Sequence, residues 1–141
     1  MRPSTQKAPS IKAERELYYT NNHEWIDFHG LVAYIGVCKF KLTGFYQIHK
    51  FLFKPIVGLY KQGDVIGCLS YNDYTIDVQM PVDGSIELIN EALLPGDNSI
   101  VVEQPESKGW IAEIFPSSPY NHNGLLDYED YRMKQYKRQF G

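Results

Sequence analysis

The chain has 141 residues, 43% of them hydrophobic, and its 14 Lys and Arg against 17 Asp and Glu give a formal net charge of −3. This is the composition of one ordinary folded domain, which excludes a disordered chain, and no apolar run approaches the ~20 residues of a membrane-spanning helix. A pI near 5.8 without a basic stripe excludes general nucleic-acid binding, so we expect neither membrane nor nucleic acid as a partner.

The first 16 residues are polar and lack the apolar core of a secretory signal. They predict a flexible tail ahead of a single domain over residues 17–141. We expect a cytoplasmic protein. A transit peptide is the alternative, because the first 13 residues carry Arg2, Lys7 and Lys12 and no acidic residue.

Short apolar runs separated by turn residues dominate the rest of the chain and predict a mainly β protein. The predicted strands cover residues 24–28, 31–35, 48–53, 65–70, 74–80, 85–89 and 110–114. Residues 38–47 predict one or two helical turns, and residues 90–94 a further short turn. Asp127 is a good N-cap for a C-terminal helix over 128–139, whose first turn is acidic and last turn basic. The pattern favours an antiparallel sandwich or flattened barrel with one terminal helix.

Two of these strands flank Asn72 and Asp73 and predict a β-hairpin. Asn and Asp favour tight turns because their side chains bond nearby backbone groups and tolerate the left-handed region. Tyr71 and Tyr74 border the turn, and the four residues together are a candidate partner-binding surface, since Tyr buries area at low entropic cost. The simpler interpretation, an ordinary cross-strand pair around a good turn, is the one that the sequence favours.

Candidate catalytic and metal-binding residues are few. The two cysteines, Cys38 and Cys68, form no CxxC motif, which argues against a zinc or iron–sulfur site. We expect free thiols, with a disulfide between them as the alternative, and a nucleophilic pair of one thiol with a histidine is a further alternative. On a strand, His23, Asp27 and His29 would share one face and could hold a metal ion, but His29 is predicted to lie in a turn. There is no glycine-rich phosphate loop. We therefore expect no catalytic residue, no metal ion and no enzymatic activity.

Several motifs occur together in one order along most of the chain, from about Tyr18 to Tyr136. They are His23-Glu24-Trp25-Ile26, Val32-Ala33-Tyr34-Ile35-Gly36-Val37, Lys61-Gln62-Gly63-Asp64, Met80-Pro81-Val82-Asp83-Gly84, Asn90-Glu91-Ala92-Leu93, Gly109-Trp110-Ile111 and Leu125-Leu126-Asp127-Tyr128-Glu129-Asp130-Tyr131. In this order they resemble the glycine cleavage system H proteins, which belong to the biotinyl/lipoyl attachment domains.

The resemblance implies a lipoyl-domain-like barrel-sandwich hybrid with short helical turns and a C-terminal helix. It also implies a carrier role, in which a lipoyl arm on a hairpin-tip lysine moves an aminomethyl group between a decarboxylase, an aminomethyltransferase and a dehydrogenase. A swinging arm needs an amine on an exposed tight turn, where an attachment enzyme can reach it.

This chain departs from the family at that lysine. Aligning Asp77 and Pro81 on the family motif places Asp73 at the lysine position, and Ser70 at the position of a supporting glutamate. No lysine lies between Lys61 and Lys108. We therefore expect no bound lipoate.

Without lipoate, the chain is predicted to be a docking or regulatory relative of the carrier. Its possible partners are glycine decarboxylase, the aminomethyltransferase and lipoyl-handling enzymes. A divergent, inactive carrier paralogue is the alternative, followed by a thiol-dependent enzyme that uses Cys68 or Cys38.

Overall fold

The computed structural model describes residues 15–53, 59–93 and 99–140. The strands are β1 Leu17–Tyr19, β2 Glu24–His29, β3 Val32–Val37, β4 Lys50–Phe53, β5 Val65–Tyr71, β6 Tyr74–Gln79, β7 Gly84–Ile89 and β8 Ala112–Pro116. The helices are two 3₁₀ turns, Lys39–Leu42 and Glu91–Leu93, and two α-helices, α1 Ser99–Glu103 and α2 Tyr128–Phe140. None of the helices in these ranges is long and apolar enough to cross a bilayer.

The strands form two antiparallel sheets. One has the order β1-β2-β3-β8-β7 and the other the order β4-β5-β6. Two hairpins set the registers: Phe28 pairs with Ala33 across the β2–β3 turn, and Tyr71 pairs with Tyr74 across the β5–β6 turn. The molecule is thus mainly β, as the turn-separated apolar runs predict.

Side chains from both sheets share the main core. Its buried members include Ile26 and Ile35 of the larger sheet and Ile66, Leu69 and Val78 of the smaller one. Alternate residues of β3 point inward, namely Ala33, Ile35 and Val37, which is the period expected of a strand with one face on a core. Burying both inner faces in one core holds the two sheets together.

A second, smaller cluster covers the outer face of the larger sheet. It consists of Tyr19, Trp25, Cys38 and Tyr131, the last of which belongs to α2. Because the cluster covers this face, Glu24 to Phe28 of β2 are buried on both sides of the strand. Gly36 makes room for it, since a Cβ there would lie 2.7 Å from the Trp25 indole.

Most predicted elements are present, with shifted ends. The C-terminal helix is confirmed, and so is its N-cap, because the Asp130 N–H donates to Asp127 Oδ1 at 2.8 Å. The helical prediction for 38–47 is confirmed only as the turn at 39–42, and the last strand covers 112–116 rather than 110–114. β1 and α1 have no counterpart among the predicted elements.

The predicted tail lies mostly outside the described residues. Within them, Arg15 already contacts the domain, since its Nε donates to Asp27 Oδ2 at 3.0 Å.

Candidate functional site

The β5–β6 hairpin ends in a two-residue turn formed by Asn72 and Asp73. Asn72 has a positive φ of 54°, in the left-handed region that Asn tolerates better than most residues. Both side chains of the turn are exposed. The hairpin predicted from the Asn-Asp pair is therefore confirmed, and Asp73 lies at its tip.

The tip carries a carboxylate and no amine. The amide that would hold a lipoyl group needs a side-chain nitrogen, so the Asp73 side chain does not fit that group. Lys61 lies in the turn before β5, at the other end of that strand, where its N–H donates to Asp64 Oδ2 at 2.8 Å. On the neighbouring strand β4, however, Lys50 pairs in register with Ser70, two residues before Asn72.

A histidine directly before the adjacent strand β4 supports the turn. The His49 backbone N–H donates to the Ser70 carbonyl at 2.8 Å, and the Asn72 N–H donates to His49 Nδ1 at 3.2 Å. The Gln47 side-chain amide lies 2.9 Å from His49 Nε2. These bonds fix the turn to the edge of the sheet.

Aromatic rings surround the base of the turn. Tyr71 is half-buried, and its ring centroid lies 4.9 Å from that of His49 and 5.9 Å from those of Phe45 and Tyr46. Tyr46 is 79% exposed and Tyr74 is 64% exposed. Apolar rings therefore face solvent on either side of the tip.

The four residues proposed from the sequence thus have different surroundings. Asn72, Asp73 and Tyr74 are exposed, whereas Tyr71 packs partly against the main core, as expected of a cross-strand neighbour. Whether any of them binds a partner stays a prediction. The sequence interpretation missed Tyr46 and His49, because only the pairing of β4 with β5 brings them to the tip.

Comparison with known proteins bears on the whole chain. The family model described as glycine cleavage H-protein matches residues 17–138. The chain belongs to the glycine cleavage H-protein family.

Pairwise comparison with individual proteins supports the same family assignment. The chain is 30% identical to a glycine cleavage system H protein of Chlorobium phaeobacteroides over 119 residues, which are 83% of this chain and 92% of the relative. It is also 30% identical, over 90% of this chain and 75% of the relative, to a Schizosaccharomyces pombe protein whose name describes a mitochondrial glycine cleavage system H protein.

A solved structure has the same fold. The glycine cleavage system H protein of Mycobacterium marinum superposes with a TM-score of 0.72 at 19% identity, covering 85% of this chain and 96% of the other. The two sheets with the terminal helix are therefore the lipoyl-domain-like barrel-sandwich hybrid that the motifs imply.

The three residues considered for a metal site do not converge. His29 is the last residue of β2 rather than part of the turn, and its Nε2 lies 3.1 Å from Asp27 Oδ2. His23 precedes β2 and has its Nδ1 2.8 Å from the Tyr131 hydroxyl. Within residues 15–53, 59–93 and 99–140, no group of three or more His, Cys, Asp or Glu side chains could hold a metal ion.

The two cysteines are free thiols in separate parts of the H-protein fold. Cys38 is buried in the outer cluster, where desolvation raises the pKa of its thiol despite a hydrogen bond with Tyr131. Tyr131 also contacts His23 Nδ1 at 2.8 Å, so its hydroxyl interacts with both the thiol and an imidazole. Cys68 is partly exposed on β5 and pairs in register with Leu52 and Asp77, so neither of its register partners is a histidine.

Proposed function

We propose that this member of the H-protein family carries no lipoate and acts as a docking or regulatory relative of the lipoyl carrier. The observation that supports the proposal is Asp73 at the tip of the β5–β6 hairpin. A carboxylate cannot condense with the carboxyl group of lipoate to form an amide. In this proposal the protein has the fold of the carrier but not its lipoyl group.

Docking is supported by what the tip presents instead. Tyr46 and Tyr74 offer two exposed rings, and Asp73 adds a negative charge between two strands. Tyrosines are favourable contact residues because they bury a large area while losing little side-chain entropy. Because the hydrogen bond to His49 already holds the turn in one conformation, the turn loses little conformational entropy when a partner binds.

The partners we propose are glycine decarboxylase, the aminomethyltransferase or a lipoyl-handling enzyme. Each would recognise the shared scaffold around the tip. In this role the protein is not an enzyme and needs no metal ion. Its cytoplasmic location stays a prediction, since relatives include bacterial proteins and one named as mitochondrial.

Intact-mass measurement tests the first half of the proposal. The full chain is co-expressed with a lipoyl ligase in the presence of lipoate. We expect the unmodified mass for the wild type and a lipoyl adduct for Asp73→Lys, which restores the amine at the same turn. A lipoyl adduct on the wild type would overturn the proposal.

Lys50→Arg is the matched control for that experiment. Lys50 is the lysine of β4 that pairs beside the hairpin, and it is exposed. If an adduct disappears in Lys50→Arg, the modified amine has moved to the neighbouring strand and the protein is a carrier after all. If Asp73→Lys stays unmodified, the recognition surface around the tip has diverged together with the lysine.

Affinity capture from the native cell tests docking. We expect the wild type to retain one of the three proposed partners, and Asp73→Ser/Tyr74→Ser to lose it. Leu31→Ser is the control, because Leu31 is 76% exposed in the β2–β3 turn. Failure of the wild type to retain any of them would favour the inactive paralogue.

A further inference from the structure

The outer face of the larger sheet contains a groove that the proposed function does not use. Its volume is about 340 Å³, within the ~300–1,000 Å³ usual for small-molecule sites. It lies between strands β2 and β3 and the segment that precedes β8, on the larger sheet rather than on the sheet that carries the hairpin tip. Both tryptophans of the chain, Trp25 and Trp110, line it.

The groove is built from rings that are held in place. The Trp25 indole N–H donates to the Pro105 carbonyl at 2.9 Å, and its ring lies over Gly36. Tyr34 and Trp110 meet edge to face, with ring centroids 5.1 Å apart and planes at 68°. A flat apolar group entering the groove would meet aromatic surface on more than one side without first ordering it.

Among the charged side chains that line the groove, one cation has no counter-ion in the described part of the chain. The Glu113 carboxylate lies outside this lining, where it interacts with Tyr34. Asp27 is buried and already paired, since Arg15 Nε lies 3.0 Å and His29 Nε2 3.1 Å from its Oδ2. Arg15 also donates to the Glu106 carbonyl at 3.0 Å. Lys108 lines the groove and is exposed, and within the part of the chain described here its ammonium has no hydrogen-bond or ion-pair partner.

We propose that this groove binds a small molecule with a planar aromatic ring and a carboxylate. The ring packs against Tyr34 and Trp110, and the carboxylate pairs with Lys108. The combination follows from the lining: aromatic surface selects the ring, and the unmatched ammonium selects an anion over a cation. Because the groove and the tip lie on different sheets, the two proposals stand or fall separately.

A pair of isosteric probes tests the charge preference in the full chain. 2-Naphthoate and 2-naphthylmethylamine share the same ring system and carry opposite charges. In ¹⁵N-resolved NMR titrations the two indole N–H signals belong to Trp25 and Trp110, so both report directly on the groove. We expect saturable shifts of both signals with 2-naphthoate at a Kd of about 0.1–1 mM, and binding of the amine at least ~10-fold weaker.

Two substitutions with one control locate the site. Lys108→Gln should weaken 2-naphthoate binding at least ~5-fold, as expected for loss of a charge-assisted hydrogen bond, and should leave the weak binding of the amine unchanged. Trp110→Leu should abolish binding of both probes. Lys61→Gln removes an exposed lysine from another part of the molecule and should bind as the wild type does.

Three results would overturn the proposal. The first is the absence of saturable shifts at the indole signals. The second is tighter binding of the amine, which would make the groove a cation site centred on Asp27. The third is a dimer in sedimentation that dissociates in Trp110→Leu, which would make a second copy of the chain the occupant.

Discussion

Tyr131 and Tyr74 are the same residue type in two regions of the molecule, and they differ in solvent exposure and in the side chains that they contact. Tyr131 is 8% exposed, stacks on Tyr19 with ring centroids 4.4 Å apart, and lies 2.8 Å from His23 Nδ1. Tyr74 is 64% exposed and has no ring contact among the residues that the structure describes. Tyr131 therefore packs α2 against the larger sheet, whereas Tyr74 lies beside the exposed turn of the β5–β6 hairpin.

Under the proposed function, this difference would explain how the H-protein fold can be kept without an amine at the hairpin tip. The contacts that hold the fold together lie in the main core and in the outer cluster, away from the hairpin tip. Residues at an exposed tip contribute little to stability, so Asp rather than Lys at this position would change the chemistry of the tip at a small cost in folding free energy.

The largest contrast is expected between Tyr131→Ala and Tyr74→Ala. Removing Tyr131 empties a buried aromatic site and breaks its hydrogen bonds, so we expect a loss of about 3–5 kcal/mol in the free energy of unfolding. Removing the exposed Tyr74 ring should cost less than about 0.5 kcal/mol. Urea unfolding followed by circular dichroism measures both values. Equal losses would mean that the tip supports the fold as much as α2 does.

Glu24→Gln and Asp77→Asn extend the contrast to charge. Glu24 is 1% exposed, pairs with Lys41, and accepts hydrogen bonds from Thr20 Oγ1 at 2.7 Å and from the Gln79 N–H at 3.1 Å. Neutralising it leaves the ammonium of Lys41, whose side chain is 13% exposed, without this counter-ion, at a cost of about 3 kcal/mol. Asp77 is exposed on β6, and Asp77→Asn should change stability by less than about 0.5 kcal/mol.

The matched rescue for Glu24→Gln is a second substitution in the same molecule. Lys41→Met replaces the stranded ammonium by an apolar chain of similar length. The double variant should regain part of the lost stability, because the uncompensated charge is gone. A double variant less stable than Glu24→Gln alone would show that Lys41 stabilises the fold by other contacts.

The sequence predicted the elements whose signals are local. Asn72 and Asp73 sit between two alternating runs, and Asp127 precedes an acidic first turn, so both the hairpin and the terminal helix could be placed from neighbouring residues. β1 and α1 are only 3 and 5 residues long. Such short elements do not show a recognisable periodicity of hydrophobic residues. The sequence predicts Ile111 in the last strand, and the Ile111 N–H does donate to the Ile35 carbonyl at 2.7 Å, although the strand begins one residue later.

The surroundings of the candidate site could not be predicted in the same way. His49 reaches the tip only because β4 pairs with β5 in one register, and Lys50 comes beside the hairpin for the same reason. A register between strands more than a dozen residues apart is set by the whole core and not by a local pattern. The aromatic groove has the same origin, since Trp25 and Trp110 are 85 positions apart in the sequence.

Alkaline titration probes the outer cluster through the pKa values of its ionisable side chains. Desolvation raises the pKa values of Cys38, Tyr131 and Tyr19 in the folded protein, with nearby Glu106 adding to the effect on each. Their contribution to stability is complete below the unfolded pKa values, about 8.5 for Cys and 10 for Tyr, and is lost as the pH rises above them toward the folded values. Stability should therefore fall steadily above a pH of about 8.5.

The Cys38→Ala/Tyr131→Phe variant tests that assignment, because it removes two of the three groups. Its stability at neutral pH is lower, but its decline between a pH of about 8.5 and 11 should be shallower than that of the wild type, by up to about 1.4 kcal/mol per pH unit for each removed group that would ionise in the unfolded chain. Urea midpoints measured across this range give both slopes. Parallel slopes would show that other groups cause the alkaline loss.

The last contrast concerns reactivity and leaves stability unchanged. Cys38 is buried and its pKa is raised, whereas Cys68 is partly exposed on the sheet that carries the hairpin. Because the thiolate is the reacting species, iodoacetamide should alkylate Cys68 at least ~10-fold faster than Cys38 in the folded protein. Peptide mass spectrometry at timed intervals measures the two rates, and full unfolding in urea should remove most of the difference. Faster alkylation of Cys38 would mean that the outer cluster opens readily. If the protein with alkylated Cys68 still binds the captured partner, partner binding does not need a free thiol at Cys68. That result would count against the alternative of a thiol-dependent enzyme, because Cys68 is the more accessible of the two thiols.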